Sequence, residues 1–84
     1  MNTYTFRTII TPDEGGTFHG YAPALPGCHT WGNSLEETRA MLKDAIGAYI
    51  ASLIEDKEPV PQDSGYETLE TIALPSISPA PSYV

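Results

Sequence analysis

One cysteine and two histidines are the side chains of this sequence best suited to act as a nucleophile, a base or a metal ligand. Cys28 and His29 are adjacent in the segment PALPGCHTWG, and such a pair could supply a thiolate and the base that activates it. If the segment is a β-strand, neighbouring side chains point to opposite faces and cannot meet. We therefore expect Cys28 to be a buried, small apolar residue, and we predict no catalytic residue here.

A zinc site is the second chemistry that these side chains could support. His19, Cys28 and His29 are three potential ligands, but they lack the paired spacings of zinc-binding modules. We predict that the two histidines lie on the surface and that the protein has no metal or cofactor.

Carboxylates are the third candidate for chemistry, because the sequence has eleven aspartates and glutamates against four lysines and arginines. A two-metal nuclease site needs acids that converge on ions about 3.5–4 Å apart. Most of these acids fall in predicted loops or on the exposed face of a predicted helix, and the first predicted strand has none. We favour a solvated acidic surface, and a small metal-dependent nuclease that uses Asp13 or Glu14 is the alternative.

Size, charge and cysteine content restrict the class of protein. A chain of 84 residues makes one small domain with a thin core. Its formal charge of −7 repels phosphate backbones and anionic membrane surfaces, whereas a basic protein would be attracted. A single cysteine supports no internal disulfide, and no apolar run suits a signal peptide or a membrane span. We expect a cytoplasmic protein with no membrane association.

Four segments have the composition of β-strands. The first is YTFRTII, residues 4–10, and the loop TPDEGG joins it as a hairpin to TFHGYAP, which extends to about residue 22. CHTWG, residues 28–32, is the third strand. YETLETIAL, residues 66–74, is predicted to be a fourth strand.

The segment PALPG is predicted to turn the chain between the second and third strands. Pro23 and Pro26 fix their own φ angles, and Gly27 tolerates a left-handed or tight conformation. The turn sends the third strand back along the second, which brings Tyr21 and Trp31 close together as anchors of a core or an interface. We interpret the segment as a structural device in a binding module rather than as part of an enzyme.

An amphipathic helix is predicted after the third strand. Ser34 and Glu37 have the spacing of a capping box, which marks a helix N-terminus. From residue 35 to about residue 54, apolar residues recur every three or four positions and form a stripe that would face the sheet. Pro59 and Pro61 stop the helix, because proline cannot continue it.

Together these elements predict an α+β fold of order β-β-β-α-β. It consists of a three-stranded antiparallel meander, one amphipathic helix packed on the sheet, and a fourth strand. Residues 1–74 are predicted to form the domain, and the Pro- and Ser-rich residues 75–84 are predicted to be a disordered tail. The thin core and the free strand edges favour self-association as a dimer or a larger oligomer.

The segments GYAPALPGCHTWGNSLEE, DAIGAYI and EDKEPVP resemble the HicB antitoxin family. The most specific part is the Leu-Pro-Gly-Cys element with a downstream glycine and helix cap. The residues that match the family pattern are Tyr21, Pro23, Leu25, Pro26, Gly27, Cys28, Thr30, Gly32, Glu37, Ala45 and Pro61. Ser34 stands where the family usually has a threonine cap, and Lys57 stands in the place of a glycine. We interpret all of these residues as structural.

The resemblance implies a partial RNase-H-like fold that lacks the catalytic acids of the nuclease. It also implies an antitoxin that binds and neutralises a small, basic HicA toxin, which cleaves messenger RNA, and that assembles as dimers or larger complexes. The acid excess of this chain suits such a partner. Many relatives have a C-terminal DNA-binding segment, but only ten residues follow Leu74 here, so we expect no direct operator binding.

Charge and loop position alone suggest which residues contact the partner. The candidates are Asp13, Glu14, Glu55, Asp56 and Glu58. A dimeric adaptor for some other basic protein is a further alternative to the antitoxin.

Overall fold

A computed structural model of the chain describes residues 2–75. Three antiparallel strands form one sheet in the order β1-β2-β3, and one helix packs against it. The elements are β1 (Ile9–Pro12), a short 3₁₀ turn (Glu14–Gly16), β2 (Phe18–Tyr21), β3 (His29–Gly32) and α1 (Leu35–Glu55). The predicted α+β class, the antiparallel meander and the single helix are confirmed.

The first strand begins later in the structure than the sequence predicted. The predicted strand covers residues 4–10, whereas the β1–β2 ladder starts with Ile9 opposite Tyr21. The chain turns after Tyr21, so residues before Ile9 have no neighbouring strand to pair with. Phe6 still packs against the hydrophobic core from this unpaired segment.

Helix α1 starts at the capping box that the sequence predicted. The Ser34 hydroxyl accepts a hydrogen bond from the backbone N–H of Glu37 at 3.0 Å. The Glu37 carboxylate in turn accepts from the backbone N–H of Asn33 at 3.1 Å, one residue before the usual partner of such a box. The backbone N–H groups of Asn33 and Glu37 thereby gain hydrogen-bond partners at the helix N-terminus, which fixes the start of the helix at Leu35.

Helix α1 ends in a Schellman motif in which Lys57 has a left-handed conformation, with φ of 57°. The N–H of Glu58 donates to the carbonyl of Leu53 at 2.8 Å, and the N–H of Lys57 donates to the carbonyl of Ile54 at 3.0 Å. In the HicB pattern that the sequence resembles, this position is a glycine. A lysine here carries the steric cost that a Cβ has in the left-handed region.

Residues 66–74, which the sequence predicted as a fourth strand, are not a strand in the structure. They have no regular secondary structure and pair with no strand of the sheet. Tyr66, Leu69 and Ile72 are strongly exposed. Their spacing of three does not alternate, so no single strand face collects them. The predicted disorder of the tail stays a prediction, because residues 76–84 lie outside the described part of the chain.

The chain that returns after α1 is fixed to the N-terminal segment by Asp63. The backbone N–H and the Nε of Arg7 each donate to the Asp63 carboxylate at 2.9 Å, and the N–H of Gly65 donates at 3.0 Å. Against the opposing effect of burial, the hydrogen bond from the Arg7 backbone, aided by the others, lowers the pKa of Asp63 below its usual value.

Close contact between α1 and the sheet depends on two strand glycines. Thr38 is fully buried, and its hydroxyl donates to the carbonyl of Ser34 at 2.7 Å. A Cβ added at Gly32 would lie 2.5 Å from Thr38 Oγ1 and 2.9 Å from its backbone nitrogen, and a Cβ at Gly20 would lie 3.0 Å from its methyl carbon. The helix can therefore approach β2 and β3 only because these positions carry no side chain.

We predict that Gly32→Ala lowers the free energy of unfolding by about 1–3 kcal/mol, since the new methyl group overlaps the backbone of Thr38. The matched control is Gly47→Ala, at an exposed helix position where an added Cβ has no neighbour within 4 Å. This change should stabilise the protein by about 0.5–1 kcal/mol, because alanine loses less backbone entropy in a helix. Urea unfolding monitored by circular dichroism measures both. Equal stability of the two variants would contradict the proposed close packing.

Candidate functional site

The segment Ala22–Cys28 turns the chain, as the sequence predicted, and it does so through two successive turns. The N–H of Leu25 donates to the carbonyl of Ala22, and the N–H of Cys28 donates to the carbonyl of Leu25, both at 3.0 Å. Pro26 and Gly27 occupy the two central positions of the second turn, and the φ of 80° at Gly27 suits a type II turn. Tyr49 of α1 donates its hydroxyl to the carbonyl of Pro26 at 3.0 Å, so the helix holds the turn in place.

The inner side of this segment is part of the hydrophobic core. Leu25 is 1% exposed and Cys28 is 5% exposed, and both belong to a cluster with Ala22 and Leu42. Burial raises the pKa of the Cys28 thiol above its ordinary value, which disfavours the reactive thiolate. The structure thus places this cysteine among apolar side chains and away from the imidazole of His29.

The face of the sheet opposite α1 carries an aromatic patch, which is formed by β2 together with the decapeptide PALPGCHTWG. Because Gly20 and Cys28 face the helix, their strand neighbours point outward. The outer-face patch consists of His19, Tyr21, His29 and Trp31. The His19 ring stacks on Trp31 with a centroid distance of 4.7 Å and an interplanar angle of 21°, and it stacks on Tyr21 at 5.7 Å. Trp31 remains half exposed.

The two histidines of the outer-face patch are in direct contact. His19 Nε2 lies 3.3 Å from His29 Nδ1, and the two rings are nearly perpendicular. The sequence predicted surface histidines but not this contact. The strand pattern of the sequence could have indicated the contact. Both side chains lie on the same outer face of two adjacent strands, where diagonal neighbours come within reach of each other.

A groove lies beside the outer-face patch, where β2 and β3 meet the turn. It has a volume of about 550 Å³, and His19, Tyr21 and His29 form one wall. Pro23, Pro26 and neighbouring residues of the double turn form the remainder. The groove is therefore an open, mainly apolar concavity with two imidazoles at its border.

The five acidic residues that were predicted to contact the partner form two groups at opposite ends of the molecule. Asp13 and Glu14 lie in the loop between β1 and β2, at the end of the sheet where α1 begins. Glu55, Asp56 and Glu58 lie at the other end of this 21-residue helix, which is about 30 Å long at 1.5 Å per residue. The structure does not bring the five together.

The other motif residues lie where the sheet joins the helix. Gly32 ends β3 against Thr38, Ser34 and Glu37 form the cap, and Thr30 is half-buried in β3. Among residues 2–75, no three His, Cys, Asp or Glu side chains are placed together to hold a metal ion. In the same range, no helix combines the length and apolar character required to cross a bilayer.

Comparison with known proteins gives the family. The family model described as HicB_like antitoxin of bacterial toxin–antitoxin system matches residues 6–74. A UPF0150 protein of Thermoplasma acidophilum is 44% identical over 62 residues, which cover 74% of this chain and 90% of that protein. A UPF0150 protein of Synechocystis sp. is 35% identical over 60 residues, covering 71% and 76% of the two chains.

A solved structure agrees with this assignment. The crystal structure of the N-terminal domain of Burkholderia pseudomallei antitoxin HicB superimposes with a TM-score of 0.62 and 27% identity, covering 79% of this chain and 72% of that one. The double turn, the capped helix and the three-stranded meander described above lie within the region that the family model matches. The chain belongs to the HicB-like antitoxin family of bacterial toxin–antitoxin systems.

Proposed function

We propose that this protein is an antitoxin that binds and neutralises a small, basic, mRNA-cleaving toxin of the HicA type, and that it acts in the cytoplasm without catalysis of its own. The similarity in sequence and fold to the N-terminal domain of an antitoxin HicB is the observation that carries the proposal. The family match over residues 6–74 supports the same role for most of this chain.

The surface charge supports a basic partner. Of the eleven acids, Asp63 is tied to Arg7, whereas both groups of candidate contact residues are solvent-exposed. Exposed charge of one sign steers an oppositely charged protein to the surface and accelerates encounter. A toxin that binds RNA through basic side chains would therefore be attracted, and bound antitoxin would compete with RNA for the same side chains.

The positions of the acidic residues indicate which surface contacts the toxin in this proposal. Glu55, Asp56 and Glu58 form the helix-end group, where three acids surround a single lysine, Lys57. Asp13 and Glu14 form the loop pair at the opposite end. Because one small toxin has to contact a limited area, we assign the larger helix-end group as the main contact and the loop pair as a secondary one.

We further propose that the protein self-associates through residues 66–74. Four large apolar side chains of this segment, namely Tyr66, Leu69, Ile72 and Leu74, are 74–101% exposed. Within the described residues, β1 and β3 each have one strand neighbour, so each leaves an edge free. An extended segment that adds to such an edge in a second copy would satisfy its backbone groups, and it would cover Tyr66, Ile72 and Leu74 on one strand face and Leu69 on the other. The family match extends to residue 74, so this segment lies within the matched region.

Growth rescue tests the antitoxin role. A basic HicA-type toxin encoded beside this gene, expressed alone, should arrest growth, and co-expression of the present chain should restore it because the complex hides the toxin's RNA-binding surface. Colony counts and the integrity of a reporter mRNA measure the effect. Growth arrest that persists while both proteins accumulate in soluble form would contradict the proposal.

Neutralising the helix-end group tests the contact surface. The double variant Glu55→Gln, Glu58→Gln should lower the association rate with the toxin about tenfold at low salt, because steering charge is removed from the contact. The control is Glu36→Gln, Asp44→Asn, which removes the same net charge from exposed positions of α1 outside both proposed interfaces. Stopped-flow or surface-based kinetics measure both. An equal decrease in the two variants would show that the helix end is not the contact.

Substitutions in residues 66–74 test the self-association. Leu69→Asp with Ile72→Asp should convert the oligomer to a monomer in size-exclusion chromatography with light scattering, because charged groups cannot be covered at the interface. Thr68→Asp with Thr71→Asp adds the same charge to exposed polar positions of the segment and should leave the oligomer largely intact. A monomeric wild-type protein at all concentrations would rule out this interface.

A further inference from the structure

The contact between His19 and His29 has no role in the proposed toxin binding, and its geometry suits a metal ion. The two facing nitrogens, His19 Nε2 and His29 Nδ1, are 3.3 Å apart. Two imidazole nitrogens bound to one tetrahedral zinc ion at 2.0–2.1 Å would be separated by roughly 3.3–3.4 Å. The nitrogen separation of a chelating pair is thus already present.

We propose that His19 and His29 bind a divalent ion of the late first-row transition metals, with Cu²⁺ bound more tightly than Zn²⁺. Imidazole nitrogen is a preferred ligand for both ions, and the order follows the general affinity series of these metals. Mg²⁺ and Ca²⁺ prefer oxygen ligands and are not expected at this pair. The ion takes the place of the hydrogen between the two facing nitrogens, and the donating ring shifts its N–H to its other nitrogen, so both imidazoles bind in the neutral form.

The surroundings hold the His19 ring in place and leave the His29 ring free to turn toward the ion. Trp31 and Tyr21 flank the His19 ring by stacking, and Trp31 also contacts His29 edge to face at a centroid distance of 4.9 Å. Stacking restricts the rotamers of His19, so less entropy is lost when the metal binds. His29 is exposed, and its ring can rotate so that both lone pairs point to a common ion.

Solvent completes the coordination of the ion. Among residues 2–75, no third His, Cys, Asp or Glu joins the pair to make a group of three or more metal ligands. Cys28 precedes His29 in the sequence but is buried in the core on the other face of the sheet. The site is therefore a two-histidine site on an open sheet face with water in the remaining positions, which is weaker than a closed structural zinc site.

The single tryptophan of the chain reports on this site directly. Trp31 lies against both histidine rings, so a bound Cu²⁺ ion should quench its fluorescence. Titration of the purified full chain with CuSO₄ should give saturable quenching, and ZnSO₄ should compete with it. His19→Asn and His29→Asn, each alone, should raise the apparent Kd for Cu²⁺ at least about tenfold, because loss of an outer-shell partner alone costs 10–100-fold in metal proteins.

Two controls separate this site from unspecific binding to an acidic protein. MgSO₄ should neither quench Trp31 nor compete with Cu²⁺, and Glu36→Gln should keep the wild-type Kd because this exposed carboxylate lies on α1, on the opposite side of the sheet. Circular dichroism checks that the histidine variants remain folded, and both positions are at the surface. A wild-type Kd in either histidine variant, or competition by Mg²⁺, would overturn the proposal.

Discussion

The close approach of α1 to β2 and β3 at Thr38 is the constraint on which the rest of the structure depends. Gly20 and Gly32 leave no side chain between sheet and helix, and Thr38 fills the contact while its hydroxyl bonds back to the carbonyl of Ser34. This contact fixes the direction of the helix immediately after the cap. The helix then runs back over the sheet to the double turn, where Tyr49 meets Pro26.

Side chains alternate along β2 and β3, so neighbouring residues lie on opposite faces of the sheet. Cys28 and Leu25 face the helix and become part of the core, whereas His29 and Trp31 face outward with His19. The reactive groups of the decapeptide are thus separated by the sheet itself. The thiol is removed from solvent, and the imidazole belongs to an open aromatic surface. The segment PALPGCHTWG therefore completes the core through its turn and exposes His29 and Trp31 through β3.

Features that depend on local sequence could be predicted, because the cause lies within a few residues. The proline and glycine positions fixed the double turn, and Ser34 with Glu37 fixed the helix start. The helix end was less predictable, since Lys57 adopts a left-handed conformation that favours glycine. Its backbone is held there by hydrogen bonds to the preceding turn, which the residue type alone does not reveal.

The sequence did not predict which residues of separate segments contact one another. The composition of residues 66–74 is that of a strand, yet composition cannot supply a neighbour, and the described chain gives this segment none. The burial of Ile50 in α1 was not predicted either, since it depends on how the helix is rotated against the sheet. The contact between His19 and His29 required the register of β2 and β3. Likewise, the separation of the acidic residues into two groups follows from the length of α1.

We propose that the molecule is a scaffold whose acidic surface binds a toxin without chemistry of its own. The most direct measurement is the rate at which the purified HicA-type toxin cleaves a labelled RNA while this protein is titrated in. Cleavage should fall linearly and end at a fixed molar ratio, with both proteins recovered in one complex. Undiminished cleavage in the presence of excess folded protein would contradict it.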